Sequence, residues 1–142
     1  MALDQIKDSL VGKWKMDRSE NFEEFLKEVG VNMVLRKLAP LAKPTMNISI
    51  EGETIKIITD IAVRREEDFF KLDEVFEKER EGEMFRGCAT WEDGKLKITG
   101  TPLNSKSKMK APTIYRERVG DEMLLTMCVS DVVCKRYFKR LE

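Results

Sequence analysis

Two arginines in the C-terminal third of the chain occupy positions where they could bind an anion. Strict alternation places Arg116 on the same predicted strand face as Ile114, and it places Arg136 on the same face as Phe138. If these faces point into a core, both guanidinium groups are buried, and a buried cation without a partner is costly. A ligand carboxylate could supply the counter-charge through charge-assisted hydrogen bonds. Alternation alone leaves open the alternative that both are solvated strand arginines.

The composition excludes much catalytic chemistry. The chain has 142 residues, 26 basic and 26 acidic side chains and no histidine, so its formal net charge is zero. The absence of histidine rules out Ser-His-Asp and Cys-His catalysis and histidine-ligated zinc. A neutral balance removes the diffuse attraction to phosphate backbones on which nucleic-acid binding usually depends. These exclusions remove much of the enzyme repertoire and disfavour nucleic-acid binding, and we expect no metal and no cofactor.

The cysteines and the first residues indicate a cellular compartment. Cys88, Cys128 and Cys134 are an odd number and form no Cys-x-x-Cys pair, which favours free thiols in a reducing environment. Residues 1–9 contain three charged side chains and no long apolar run, so they do not resemble a signal peptide. We expect a cytoplasmic protein, with residues 1–9 as an N-terminal extension of a single domain over residues 1–142.

Two short helices are predicted over about residues 21–40. The segment NFEEFLKEV repeats apolar residues at the spacing of one helix face. Asn21 is the predicted N-cap, and Gly30 supplies the left-handed residue that ends this helix. Asn32 is the predicted cap of the second helix, and Pro44 forces an extended exit. The two helices are predicted to form a helix-turn-helix hairpin.

From Thr45 onward the hydrophobic period is two, which predicts β-strands. The dipeptide Asp93-Gly94 is the strongest hairpin signal, because both residues suit the positive φ angles of a type I′ turn. Similar turns separate about ten short strands, nearly all of them antiparallel neighbours. Closure into a barrel is the simplest way for such a meander to remove its edges. The predicted fold class is therefore all-β.

Short motifs along the chain match one known family pattern. They are GKWKM at 12–16 with NFEEF at 21–25, LAKPT at 41–45, FKL at 70–72, and DVVC at 131–134. On these motifs, over about residues 10–141, the chain resembles the intracellular lipid-binding proteins, which comprise fatty-acid-binding and cellular retinoic-acid-binding proteins. The resemblance implies a ten-stranded antiparallel β-clam barrel (up-and-down), with a helix-turn-helix lid after the first strand. It also implies a carrier without enzymatic activity.

The same resemblance implies where a lipid carboxylate binds. Arg116 matches the family's arginine on the eighth strand, and Arg136 matches the arginine of an Arg-x-Tyr motif on the tenth. Phe138 stands at the tyrosine position, and Tyr137 points to the other face, so one hydroxyl donor is missing. We expect both arginines to hold the carboxylate, with a water in the vacant place. The further residues implied at the cavity or its portal are Phe22, Phe25, Leu26, Leu35, Val63, Arg64, Met123 and Leu125.

The ligand implied by this resemblance is a long-chain fatty acid, bound non-covalently and transported in the cytosol. Retinoic acid held by the same site is the alternative, because Val63-Arg64 and the LTM motif at 125–127 are closer to that branch of the family. An extracellular lipocalin is less favoured, since its usual signal peptide and disulfide are missing. Two other functions remain as alternatives: an enzyme that acts on an acyl or retinoid substrate, and a partner-binding scaffold with a packed interior.

Three groups of charged residues lie outside the predicted site. Lys27, Arg36 and Lys37 lie on the lid, where they could serve nuclear import, dock the protein on anionic membranes, or form only a solvated helix face. We expect a monomer. A lysine-rich turn over residues 100–112, with Lys106, Lys108 and Lys110, is predicted to be a mobile loop. One acidic set is interpreted as solvated loop charge without a role: Glu66, Glu67, Asp68, Glu79, Glu81 and Glu83.

Overall fold

The computed structural model describes residues 2–39, 42–61, 64–80, 82–104, 106 and 110–141, and it describes Arg64 by its backbone only. The predictions for Val63, Glu81 and Lys108 lie outside these residues. Within the described ranges the chain forms three helices and ten strands. They are α1 (Ala2–Ser9), β1 (Gly12–Glu20), α2 (Phe22–Val29), α3 (Met33–Leu38), β2 (Thr45–Glu51), β3 (Thr54–Ile61), β4 (Arg64–Lys71), β5 (Val75–Arg80), β6 (Glu83–Glu92), β7 (Lys95–Pro102), β8 (Thr113–Val119), β9 (Glu122–Val129) and β10 (Val132–Leu141).

The ten strands form one antiparallel sheet in the order β4-β3-β2-β1-β10-β9-β8-β7-β6-β5. Strand β1 pairs with β10, so the first and last strands lie side by side in the middle of the sheet. Strands β4 and β5 are the two edges, and Phe70 stacks on Phe76 between them with ring centroids 5.4 Å apart. The sheet is therefore a nearly closed barrel, which confirms the predicted ten-stranded antiparallel fold with a helix pair after the first strand.

The turn and cap residues explain why the elements end where they do. Asp93 and Gly94 have φ angles of 51° and 77°, as the predicted type I′ turn requires. Gly30 ends α2 with a φ of 108°, and the Asn32 side chain accepts a hydrogen bond of 3.0 Å from the Leu35 amide. Asn21 is the N-cap residue of α2, as predicted, but its side chain makes no cap hydrogen bond and donates instead to the Val133 carbonyl.

Residues 1–9, expected only as an extension, contribute a helix that packs on the barrel. In α1 the side chain of Ile6 is fully buried, as is that of Leu10 just after the helix. The Trp14 indole donates a 2.8 Å hydrogen bond to the Leu10 carbonyl, and the Trp91 indole donates to the Gln5 amide oxygen. Since α1 precedes β1 and the lid follows it, the two cover opposite ends of the barrel.

Candidate ligand-binding cavity

A cavity of about 490 Å³ lies between the barrel wall and α2. This volume falls within the range of about 300–1,000 Å³ that is usual for small-molecule sites. Phe25, Leu26 and Val29 line the cavity from the lid helix, and Ile57 and Phe70 line it from the barrel. These side chains provide the apolar surface that a hydrocarbon chain requires.

The two predicted arginines both point into the barrel. Arg116 of β8 and Arg136 of β10 each pair with Leu125 of β9, so they share one face and one level of the sheet. At about 4.8 Å between neighbouring strands, their Cα atoms are about 10 Å apart. Each arginine is only 7% exposed. The prediction that both guanidinium groups enter the interior is therefore confirmed.

Neither buried guanidinium group is fully satisfied by the protein. Nε and Nη1 of Arg116, and Nε and Nη2 of Arg136, are buried and make no hydrogen bond to any part of the chain that the structure describes. Burial lowers the pKa of Arg116 to about 10, with Asp68 opposing this effect and Arg80 adding to it. Burial also lowers the pKa of Arg136. Because arginine side chains stay protonated at neutral pH, the interior holds positive charge with unused hydrogen-bond donors.

The two arginines differ in what lies next to them. Arg116 lines the cavity directly. The Arg136 guanidinium lies against the lid, with its central carbon 3.9 Å from the ring centroid of Phe22, in a cation–π contact. Phe138 is fully buried on the same strand face, whereas Tyr137 points outward and donates a 3.0 Å hydrogen bond to Glu20. The tyrosine hydroxyl is thus directed away from both arginines, as the alternation predicted.

The remaining predicted contact residues have three different environments. Phe25 and Leu26 line the cavity beside Arg116. Met123 and Leu125 are buried in the core next to the arginines, and Phe22 packs partly buried against that core. Leu35 is 39% exposed on α3. Val63 lies outside the described residues, and only the backbone of Arg64 is described.

Sequence reasoning missed a charged wall along the cavity. Glu66 and Asp68 of β4 and Lys78 and Arg80 of β5 line the cavity; we call these four residues the polar wall. The interpretation of Glu66 and Asp68 as solvated loop charges is wrong, since both lie within a strand and the Asp68 side chain is only 16% exposed. Alternation with buried Phe70 was the signal that could have identified them.

The lysine-rich turn is fastened to the lid at Lys110. The Lys110 amide donates a 3.0 Å hydrogen bond to the Val29 carbonyl at the end of α2. Its ammonium group pairs with Glu28 and lies 3.1 Å from the Ser130 hydroxyl, which donates a 2.9 Å hydrogen bond to Glu28. At Lys110 this turn contacts the lid, and the expectation of a mobile loop stays a prediction. We call Glu28, Lys110 and Ser130 the lid clasp.

We predict that Lys110→Ala loosens the lid. The variant removes the ammonium group from Glu28, so amide hydrogen exchange in α2 should become faster, and so should dissociation of a bound lipid. Hydrogen bonds from Lys110 and Ser130 lower the pKa of Glu28. The clasp therefore stabilises the fold fully at pH values above the unfolded-state pKa of Glu28, about 4.3. This stabilisation is lost as the pH falls through the lower pKa of Glu28 in the folded protein.

The control is Lys106→Ala, which removes an exposed lysine from the same turn. Hydrogen-exchange mass spectrometry at pH 7 should separate the two variants. Equal α2 exchange in the Lys110 variant, the Lys106 variant and the unchanged protein would contradict the role assigned to the clasp.

The lid carries both basic and apolar side chains on its outer surface. Lys27 and Lys37 are exposed, Arg36 is half-buried, and Lys37 forms a 2.8 Å ion pair with Glu23. Helix α3 buries none of its side chains. Its large exposed apolar residues are Met33, Val34, Leu35 and Leu38. None of the helices within the described residues is long and apolar enough to cross a membrane.

Comparisons with known proteins converge on one family. Residues 11–141 match the lipocalin / cytosolic fatty-acid binding protein family. Human cellular retinoic acid-binding protein 1 is 42% identical over 138 residues, which cover 93% of this chain and 98% of that protein. The structure of apo lipid binding protein 8 from Caenorhabditis elegans superposes with a TM-score of 0.86 at 28% identity, over 92% of this chain and 94% of that one. A Schistosoma mansoni fatty acid binding protein in complex with arachidonic acid gives a TM-score of 0.81 at 28% identity, over 93% and 96%.

Proposed function

Because this chain belongs to the lipocalin / cytosolic fatty-acid binding protein family, we propose that it binds a long-chain fatty acid reversibly inside the barrel and carries it through the cytoplasm. The observation that carries this proposal is Arg116, a buried cation that lines the cavity with donors left unused. A carboxylate is the anion that a fatty acid supplies, and it can accept two parallel hydrogen bonds from one guanidinium group.

Binding in this proposal needs no covalent step. The carboxylate lies between Arg116 and Arg136 and restores charge balance in the interior, so the cost of desolvating the arginines is offset only when the ligand is present. The hydrocarbon chain packs against Phe25, Ile57 and Phe70, and this burial contributes about 25 cal/mol per Å² of apolar surface. The protein acts as a monomeric carrier and not as an enzyme.

Retinoic acid is the second candidate ligand. It is favoured by the 42% identity to human cellular retinoic acid-binding protein 1. Both ligands present one carboxylate on an apolar body, so the two arginines do not distinguish them. The shape of the apolar part of the cavity has to make the distinction.

The proposal is tested by native mass spectrometry of the purified protein, followed by titration of the delipidated protein with oleate and with all-trans retinoic acid. We expect one fatty acid per chain, bound with a dissociation constant of about 1 μM or lower, typical of a specific small-molecule site. Tighter binding of retinoic acid than of oleate would identify retinoic acid as the preferred ligand. Absence of copurified lipid together with no binding of either compound would refute the carrier function.

Phe138→Tyr tests the consequence of the missing hydroxyl. We expect the ligand-free variant to lose about 1–2 kcal/mol of unfolding free energy, because the new hydroxyl enters a fully buried position. Oleate should bind about fivefold more tightly, because the hydroxyl donates to a carboxylate held by Arg136. Urea denaturation and calorimetric titration measure the two effects. Unchanged or weaker oleate binding would place the carboxylate away from residue 138.

We further propose that the outer surface of the lid docks on anionic membranes when the lipid is transferred. A basic side chain near such a surface contributes about 1 kcal/mol, and the exposed apolar residues of α3 can enter the interface. The variant Lys27→Ala/Arg36→Ala/Lys37→Ala should therefore bind phosphatidylserine vesicles up to about 100-fold more weakly. Transfer of a fluorescent fatty acid to these vesicles should slow in parallel.

The matched control neutralises three exposed lysines at the other end of the barrel, Lys7, Lys13 and Lys71. This control changes the net charge equally and should retain vesicle binding. Equal losses in both variants would indicate only a net-charge effect. Unchanged transfer in the lid variant, with loss of nuclear accumulation in cells, would assign the three basic residues to nuclear import.

A further inference from the structure

The polar wall places charges of both signs along a cavity that otherwise suits a hydrocarbon chain. Asp68 alternates with buried Phe70 on β4, and Lys78 alternates with Phe76 on β5, so these charged side chains share the inward face with aromatic rings. The side chains of Asp68 and Lys78 are 16% and 28% exposed, whereas that of Arg80, at the end of β5, is 44% exposed. Together with the stacked rings of Phe70 and Phe76, the ion pairs of this wall join the two edge strands.

The ion pairs of the polar wall leave hydrogen-bonding capacity unused. Lys78 approaches Asp68 to 3.1 Å. Arg80 approaches Glu66 and Asp68 only to 3.6 and 3.9 Å, which is longer than a hydrogen bond. A carboxylate has about four acceptor sites and a guanidinium group has five donors. Asp68 and Arg80 can therefore each engage a further polar group in the cavity.

The wall faces the path that a bound chain would follow. Asp68 and Arg80 line the same cavity as Arg116. Arg80 ends β5, which runs toward the end of the barrel that carries α2. A lipid held at Arg116 by its carboxylate and directed toward the lid therefore passes the polar wall with the middle of its chain.

An unsubstituted chain is a poor match to this wall. Methylene groups would displace water from charged side chains such as Asp68 and Lys78 and would return no hydrogen bond to them, which is unfavourable. A hydroxyl group can donate to the Asp68 carboxylate and accept from Arg80, and a keto oxygen can accept from Arg80 or Lys78. Both groups would replace the displaced water.

We infer that the preferred ligand is a carboxylic lipid that carries a hydroxyl or keto group along its chain, with the carboxylate at Arg116 and the second oxygen at the polar wall. The inference rests on the proposed lipid-carrier function and narrows its ligand class. The polar wall is thus the part of the cavity that determines specificity, whereas the arginines recognise the carboxylate common to all candidates.

The test compares stearate with 12-hydroxystearate by calorimetric titration of the delipidated full chain. We expect 12-hydroxystearate to bind about tenfold more tightly, the effect of one hydrogen bond to a charged group. A four-site apolar variant removes the wall without changing the net charge: Glu66→Leu, Asp68→Leu, Lys78→Met and Arg80→Met. In this variant the preference should disappear, while stearate binds at least as tightly as before.

A double variant of the wall and a matched control distinguish a specific loss of ligand preference from a general folding defect. Asp68→Leu/Lys78→Met exchanges only the 3.1 Å ion pair and should reduce the preference to about threefold. Lys95→Met/Glu117→Leu exchanges an ion pair outside the cavity, with 3.6 Å between the charged atoms, and should retain the tenfold preference. Equal affinities of the two lipids for the unchanged protein, or a full preference in the Asp68/Lys78 variant, would overturn the inference. Failure of both lipids to bind would overturn the carrier function as well.

Discussion

Arg116→Met is expected to weaken fatty-acid binding by about 30-fold and to make the ligand-free protein more stable. The affinity falls because a buried carboxylate loses a charge-assisted hydrogen bond, worth about 2 kcal/mol. The stability rises by about 1–2 kcal/mol, because the ligand-free protein no longer buries an uncompensated cation and methionine fills a similar volume. A residue that only supported the fold would move both quantities in the same direction. Opposite signs are therefore the signature of a ligand-binding cation.

The difference in stability between the variant and the unchanged protein should depend on pH. The pKa of Arg116 is lowered to about 10 in the folded protein, below its unfolded value. Its charge therefore destabilises the fold fully below pH 10, and this cost is relieved as the pH rises through about 10. The stability advantage of Arg116→Met should accordingly be constant between pH 6 and 8 and should shrink above pH 10.

Calorimetric titration with oleate and urea denaturation of the delipidated protein measure these effects. The control is Arg118→Met, which alters an exposed arginine two residues further along β8 and should leave oleate binding unchanged. If Arg116→Met destabilises the ligand-free protein and binds oleate normally, Arg116 is a structural residue and the carboxylate site lies elsewhere.

Ile6→Ala should lower the free energy of unfolding by about 3 kcal/mol and leave ligand affinity unchanged. The isoleucine side chain is fully buried, and truncating such a side chain removes apolar contacts and leaves a cavity. Helix α1 covers the end of the barrel opposite the lid, so the loss should not reach the arginines. This result would show that residues 1–9 are part of the folded core.

Urea denaturation and oleate titration of the same samples check this second prediction. The control is Lys7→Ala, an exposed position on the same helix, where the change in stability should remain within about 0.5 kcal/mol. A stability loss below about 1 kcal/mol for Ile6→Ala would mean that α1 is only loosely attached. A parallel loss of oleate affinity would mean that α1 influences the cavity.

The fold and the inward direction of the arginines could be predicted because both depend on local periodicity. A strand alternates its faces strictly, so apolar neighbours such as Ile114 and Phe138 indicate where Arg116 and Arg136 point. Turn residues such as Asp93 and Gly94 mark the strand ends through the φ angles they tolerate. The residues of the polar wall obey the same strand alternation. Their charge nevertheless favoured solvent exposure, because a charged residue on a strand is usually exposed.

Contacts between distant segments could not be predicted in this way. The capping role of Asn21 was a reasonable local expectation, yet its amide reaches the carbonyl of Val133, more than a hundred residues away. The lid clasp likewise joins Glu28, Lys110 and Ser130 from three separate elements. Each of these contacts competes with a local alternative, and the folded arrangement decides between them.

By itself, the sequence determined the period of each segment, the turns between segments and, through these, a barrel with two arginines on its inner face. Only the tertiary structure decided what those arginines meet. It left their donors unused in a cavity, set Arg136 against Phe22, and placed Lys78 and Arg80 across from Glu66 and Asp68. The physical reason is that periodicity is a property of neighbouring residues, whereas desolvation and charge pairing depend on which strands barrel closure brings together.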